Sequence, residues 1–170
     1  MTSPQKAKGG SFEREIAQML SETFGESFIR APGSGAYVGG SNKARKQILH
    51  EGQIRAFKGD IVPGENFGRL NAECKSYADF PFHQLFSGSA KVLDSWIAQC
   101  MEVADQGDFN IIFMKFNRKG TYTALQLRQQ VTLNLGSHIL YNTANHGTWA
   151  FLDLKYFITN NQEQFRLLCK

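Results

Sequence analysis

The chain has 170 residues, 42% of them hydrophobic and 14 of them phenylalanine, and carries a formal charge of +4 with a pI near 9.0. A domain of that length buries roughly 70% of the surface its unfolded chain exposes, so the composition predicts a packed core and excludes a disordered chain. No apolar run reaches the ~18 residues of a membrane span, no hydrophobic stretch follows the charges of MTSPQKAKGG as in a secretory leader, and Cys74, Cys100 and Cys169 lie too far apart for a CxxC zinc site or a disulfide framework.

Residues 1–10 read as a flexible basic arm and residues 11–170 as one domain. From Ser11, Phe12, Ile16, Met19, Leu20 and Phe24 recur at helical spacing, and Gly25 supplies the stop. At about 100° per residue, Glu13 lies about 55° from the centre of that apolar face and Glu15 about 105° away. Glu13 therefore borders the core while Glu15 faces water. ESFIRAPGSG predicts a strand running into a Pro/Gly turn, and the cationic, glycine-bearing stretch from Ala36 to Lys58 predicts a mobile loop with a short helix around KARKQILH.

In GDIVPGENFGRLNAECKS, two strand-like runs flank a turn rich in Pro, Gly and Asn, which predicts a hairpin. Side chains alternate along a strand, so Leu70, Ala72 and Cys74 point one way while Asn71, Glu73 and Lys75 point the other. Pairing the two runs brings Asp60 beside Glu73. Downstream, Val92, Leu93, Trp96, Ile97, Cys100, Val103 and Ala104 predict a helix with Ser89 as cap and Gly107 as stop. FNIIFMKF and TYTALQL predict strands joined by NRKG, HILYN and TWAFLDL predict two more, and a helix near LKYFITNNQEQFRLL ends the chain. That order implies an α/β layer with a central mixed sheet flanked by helices.

Asp60, Glu73 and Lys75 are charges that a plain hairpin does not need. If Glu13 joins them, three carboxylates face one ammonium, and each like-charge pair at ~4 Å costs about 4 kcal/mol at an effective dielectric of ~20. Either the carboxyl pKa values rise or a divalent cation binds. Oxygen ligands select hard ions, Mg²⁺ foremost with Mn²⁺ as a substitute, and such an ion beside a phosphodiester favours its hydrolysis. Lys75 would orient water or neutralise charge gathering on phosphorus. Taken singly, the same residues also fit plainer roles: Glu13 as an acid at a helix amino terminus, Glu73 and Lys75 as a strand surface pair, and Asp60 as a turn residue.

Taken together, the motifs resemble the archaeal-type Holliday junction resolvases of the PD-(D/E)XK nuclease superfamily. GSFEREIAQML is similar to that family's first helix, FIRAPGSG to its second element, GDIV to its aspartate strand and ECKS to its Glu-x-Lys strand. The likeness covers about residues 9–77, loosely to about 127, and implies a restriction-endonuclease-like fold. It implies catalytic roles for Glu13, Asp60, Glu73, Lys75 and Ser34, with metal held by Glu13, Asp60, Glu73 and the Cys74 backbone carbonyl. It also implies a homodimer that nicks two strands of a branched DNA symmetrically. Three departures stand out: Gly59 replaces the superfamily's proline, the loop from Ala36 to Lys58 is longer than usual, and the tail after Leu127 has no counterpart.

Arg14, Arg30, Lys43, Arg45, Lys46, Arg55 and Lys58 are the candidate phosphate contacts, since basic residues on polar segments suit a polyanion. Phe80, Phe82 and Phe86 fit core or dimer packing better than a wedge at a DNA branch. The expected protein is thus a cytoplasmic, DNA-associated, structure-selective endonuclease with no membrane association and with reduced thiols. A restriction-type or repair nuclease, and a non-cleaving DNA-binding module on a nuclease fold, are the alternatives.

Overall fold

A computed structural model describes residues 4–32, 58–128 and 132–170. In chain order its elements are α1 (Pro4–Phe24), β1 (Ile29–Arg30), β2 (Ile61–Val62), β3 (Leu70–Tyr77), α2 (His83–Phe86), α3 (Lys91–Val103), β4 (Phe109–Phe116), β5 (Gly120–Gln126), β6 (His138–Thr143), β7 (Gly147–Asp153), α4 (Leu154–Asn160) and α5 (Gln162–Cys169). The five-stranded sheet has the order β3-β4-β5-β7-β6; β3 and β4 run parallel, with α3 in their crossover, and every other pair is antiparallel. This is the predicted α/β arrangement, a mixed central sheet flanked by helices, and it is consistent with a restriction-endonuclease-like fold.

FNIIFMKF is apolar on both faces because β4 is covered on both. Ile111 and Phe113 join the core under α1, α4 and α5, while Ile112, Met114 and Phe116 join the core under α3. The predicted alternation in β3 holds: Leu70, Ala72 and Cys74 pack with Phe12, Ile16 and Leu20 of α1, and Asn71 on the opposite face donates to the Cys100 carbonyl of α3 at 2.9 Å. Glu13 is nearly buried, whereas Glu15 is exposed and pairs with Lys115. All three cysteines are free and buried. Among the described residues, no helix is long and apolar enough to cross a membrane.

Four local expectations change. Helix α1 starts at Pro4, so it takes in most of the segment assigned to a flexible arm. A proline suits the first helical position, and those residues lack the apolar period from which the helix start was read. The hairpin does not form as a ladder: β2 pairs with β1, and Glu65–Phe67 make a 3₁₀ turn that buries Phe67 before β3 begins. Ala90, not Ser89, caps α3, with its amide donating to the Tyr141 hydroxyl at 2.9 Å. The single terminal helix is two, because Asn161 leaves helical geometry and its side chain instead bridges the Phe157 and Asn134 carbonyls. The helix expected around KARKQILH lies outside the described residues.

Candidate active site

Three elements meet at the outer edge of β3. The Asp60 amide donates to the Ala72 carbonyl at 2.8 Å, and the Cys74 amide donates to Asp60 Oδ2 at 2.8 Å. Asp60 is thereby pinned across from Glu73 without a hairpin. Gly59 makes this possible: its φ is +68°, and a Cβ there would sit 2.5 Å from the Ala72 carbonyl oxygen. Proline, fixed near φ −65°, cannot take this conformation, which explains the departure from the superfamily's usual residue. Because Cys74 turns its amide outward, strand alternation turns its carbonyl to the same edge.

On one side of that edge, α1 carries Glu13, whose Oε2 accepts from Arg30 Nε of β1. Gly10, one turn earlier, faces that guanidinium, and a Cβ there would make an ordinary contact with Arg30 Cζ at 3.4 Å. On the other side, Glu73 is 1% exposed and accepts from Lys75 Nζ at 2.9 Å, and Lys75 also donates to Gln99 Oε1 of α3 at 2.8 Å. Glu13, Asp60, Lys75, Gln99, Tyr77 and Asn117 line one cavity of about 450 Å³. Glu73 stands behind Lys75 rather than in the wall.

Burial, then the neighbouring Glu73 carboxylate, pushes the Asp60 carboxyl up to about 7, against the pull of the Cys74 amide. Burial likewise drives the Cys74 thiol well up, so it is not a nucleophile. The predicted cage of three carboxylates is not assembled, however. Among the described residues no three His, Cys, Asp or Glu side chains stand close enough to hold an ion. The physical reason is visible: Glu13 is turned onto Arg30, and Glu73 onto Lys75. What opens into the cavity is a pair of carboxylates, Glu13 and Asp60, the latter with a pKa raised chiefly by burial and then by the Glu73 carboxylate. That pair still fits a hard divalent ion, which binds through one or two carboxylates plus water and substrate oxygens.

The other predicted residues divide sharply. Arg14 is exposed on α1. Arg30 is committed to Glu13, with part of its guanidinium still at the surface. Lys58, taken from the sequence as a phosphate contact, is 6% exposed and ion-paired with Asp105 and Asp108, so its charge is neutralised within the fold. Ser34, Lys43, Arg45, Lys46 and Arg55 lie outside the described residues. Phe80 is buried, stacking on Phe116 and Phe151, and Phe82 packs edge-on to it, whereas Phe86 is 79% exposed. Gln99 was missed because a glutamine before Cys100 on an amphipathic helix carries no signal of its own; only the crossover from β3 to α3 places it over Lys75.

No curated protein and no solved structure matches the chain. The family described as phage putative PDDEXK endonuclease matches residues 4–165, which takes in every element that builds the cavity. Nucleases of that superfamily typically use divalent metal ions. With nearly its whole length matched, the chain belongs to the phage putative PDDEXK endonuclease family, and through it to the PD-(D/E)XK nuclease superfamily.

Proposed function

We propose that this protein is a Mg²⁺-dependent endodeoxyribonuclease, with Mn²⁺ as a substitute ion, and that it cuts branched DNA, the four-way junction above all. The observation that carries the reading is the convergence of Glu13, Asp60 and Lys75 on one cavity, with Glu73 buried behind the lysine. Glu13, Asp60 and the outward Cys74 carbonyl would hold the ion. A divalent ion there supplies Lewis-acid charge at the phosphoryl oxygens and acidifies water.

The chain's own residues supply the rest. An ammonium has three donors; Lys75 gives one to Glu73 and one to Gln99, which leaves one for the attacking water or a phosphoryl oxygen. Glu73 holds that ammonium in place, and the charge-assisted hydrogen bond between them offsets the burial of the carboxylate. Asp60 must lose its proton before it can hold a cation, and its raised pKa sets when it does so. Two copies related by a two-fold axis would present two such sites to the pseudo-symmetric arms of a junction, which accounts for paired nicks. Ser34 and the cations Lys43, Arg45, Lys46 and Arg55 belong to this reading through the resemblance alone, as candidates for catalysis and phosphate tracking.

The deciding assay incubates purified protein with labelled four-way junction and with linear duplex of the same arms, in Mg²⁺ and in chelator. Symmetric nicks in the junction that need the metal are expected. Cutting of linear duplex at a defined sequence would point to a restriction-type nuclease instead, and binding without cutting in either metal would reject the enzyme.

A further inference from the structure

Tyr77 is the last residue of β3, on the same face as Glu73 and Lys75 at two-residue steps. It is a large aromatic with 49% of its surface exposed, and it lines the cavity that holds Glu13, Asp60 and Lys75. Its ring is not loose. One side rests on Trp96 of α3, centroids 5.0 Å apart and planes tilted by 35°, and Trp96 rests in turn on Phe80 and Phe116. Among the described residues, nothing hydrogen-bonds its hydroxyl. A rigidly backed ring with its other side toward solvent, about 7 Å along the strand from the lysine, is placed to receive a second flat group while the lysine faces a phosphate.

We infer that Tyr77 is a stacking platform for the base next to the cut phosphate, and hence that the preferred substrate carries a base with an uncovered face at that position. This rests on the nuclease reading of the site and adds the substrate class. In continuous duplex both faces of every base are covered by neighbours, so the ring has nothing to meet. At a flap, a branch point or a single strand one face is free, and base–aromatic stacking there is worth enough to select it. The stack does not depend on base identity, because every base offers a π-face.

The test places 2-aminopurine at the unpaired nucleotide beside the branch of a flap substrate and follows its emission in chelator, where the site cannot cut. Wild type and Tyr77→Phe are expected to quench it on binding. Tyr77→Leu, which still covers Trp96 with an apolar side chain, is expected to bind without quenching. In Mg²⁺, Tyr77→Leu should cut the flap about 5- to 100-fold more slowly, the range set by loss of one stacked base, and Tyr77→Phe should match wild type. Quenching that survives in Tyr77→Leu, wild type that cuts continuous duplex as fast as the flap, or failure to bind the flap at all would each overturn the inference. The nuclease reading fails separately: if wild type cuts no DNA in Mg²⁺ or Mn²⁺, that reading falls whatever the quenching shows.

Discussion

Two lysines flank the Asp60 turn, and the fold treats them in opposite ways. Lys58 and Lys75 are both buried and both paired with carboxylates. Lys58 lies between Asp105 and Asp108, in the turn before β4, away from the cavity wall, and its pairs tie two loops together. Lys75 pairs with Glu73 from the wall of the cavity, and its second partner is an amide oxygen rather than another charge. An ion pair of the same chemistry is thus a staple where both partners are carboxylates and the ammonium lies off the cavity, and a candidate for chemistry where the ammonium lines it.

The sharpest way to break this comparison is to remove the charges around Lys75. Asp60→Asn and Glu73→Gln are each expected to lower cleavage by about 10²- to 10³-fold, the scale of losing one preorganised electrostatic group at the reacting centre, while DNA affinity stays within about two-fold because cations that meet the DNA backbone carry it. Single-turnover cleavage and a binding titration in chelator read the two separately. Normal turnover in either variant would remove the residue from the site.

Lys58→Met should do the reverse. It strands Asp108 in the interior, and breaking a buried pair costs about 3–5 kcal/mol, which lowers Tm by roughly 2–4 °C per kcal/mol in a domain of this size. Cleavage per folded molecule should be unchanged. Activity lost in proportion to that of Lys75→Met would mean that Lys58 reaches the substrate after all, as its sequence context implied.

That context shows what the sequence carried and what it did not. The alternation of β3 and the helical period of α1 were legible, because burial of one face imposes a repeat that survives in the order of residues. Those two repeats put Glu13 on the border of the core and Glu73 beside Lys75. Partners made by topology left no trace. Arg30 reaches Glu13, Gln99 reaches Lys75 and Asp108 reaches Lys58 across 17, 24 and 50 residues, and in each case one partner reads alone as a surface or phosphate-binding residue. A count of acids likewise ignores the cations that the fold brings to them, Arg30 to Glu13 and Lys75 to Glu73. Gly59 was legible only as a departure, since its role depends on the Ala72 carbonyl that it faces.

Asp60 provides a third and smaller test, through pH. Its folded pKa of about 7 lies above the ordinary 3.8, chiefly from burial and then from Glu73. The folded chain therefore holds a proton that the unfolded chain has released, and the stability this proton provides is lost as pH rises from about 4 through about 7. Asp60→Asn should melt higher than wild type above pH 7, with the gap closing toward about pH 4. Added Mg²⁺ should raise the wild-type Tm at the higher pH and leave the variant nearly unmoved, and cleavage should climb tenfold per unit on the acid side of about 7. A pH-independent gap in Tm would mean that Asp60 is already ionised.

The smallest expected effect belongs to Gln99, and it asks whether the second partner of Lys75 matters. Gln99→Leu removes one neutral acceptor at 2.8 Å from an ammonium that keeps its bond to Glu73. A hydrogen bond of this kind contributes about 0.5–1.5 kcal/mol net, so cleavage should fall about 2- to 10-fold with KM and Tm scarcely changed. Gln99→Glu should not rescue it, because a new carboxylate would draw the ammonium away from the substrate and add to the negative field around Asp60. If Gln99→Leu cut as fast as wild type, Glu73 alone would suffice to aim the lysine, and the contrast with the fully enclosed Lys58 would rest on cavity access rather than on the charge of the second partner.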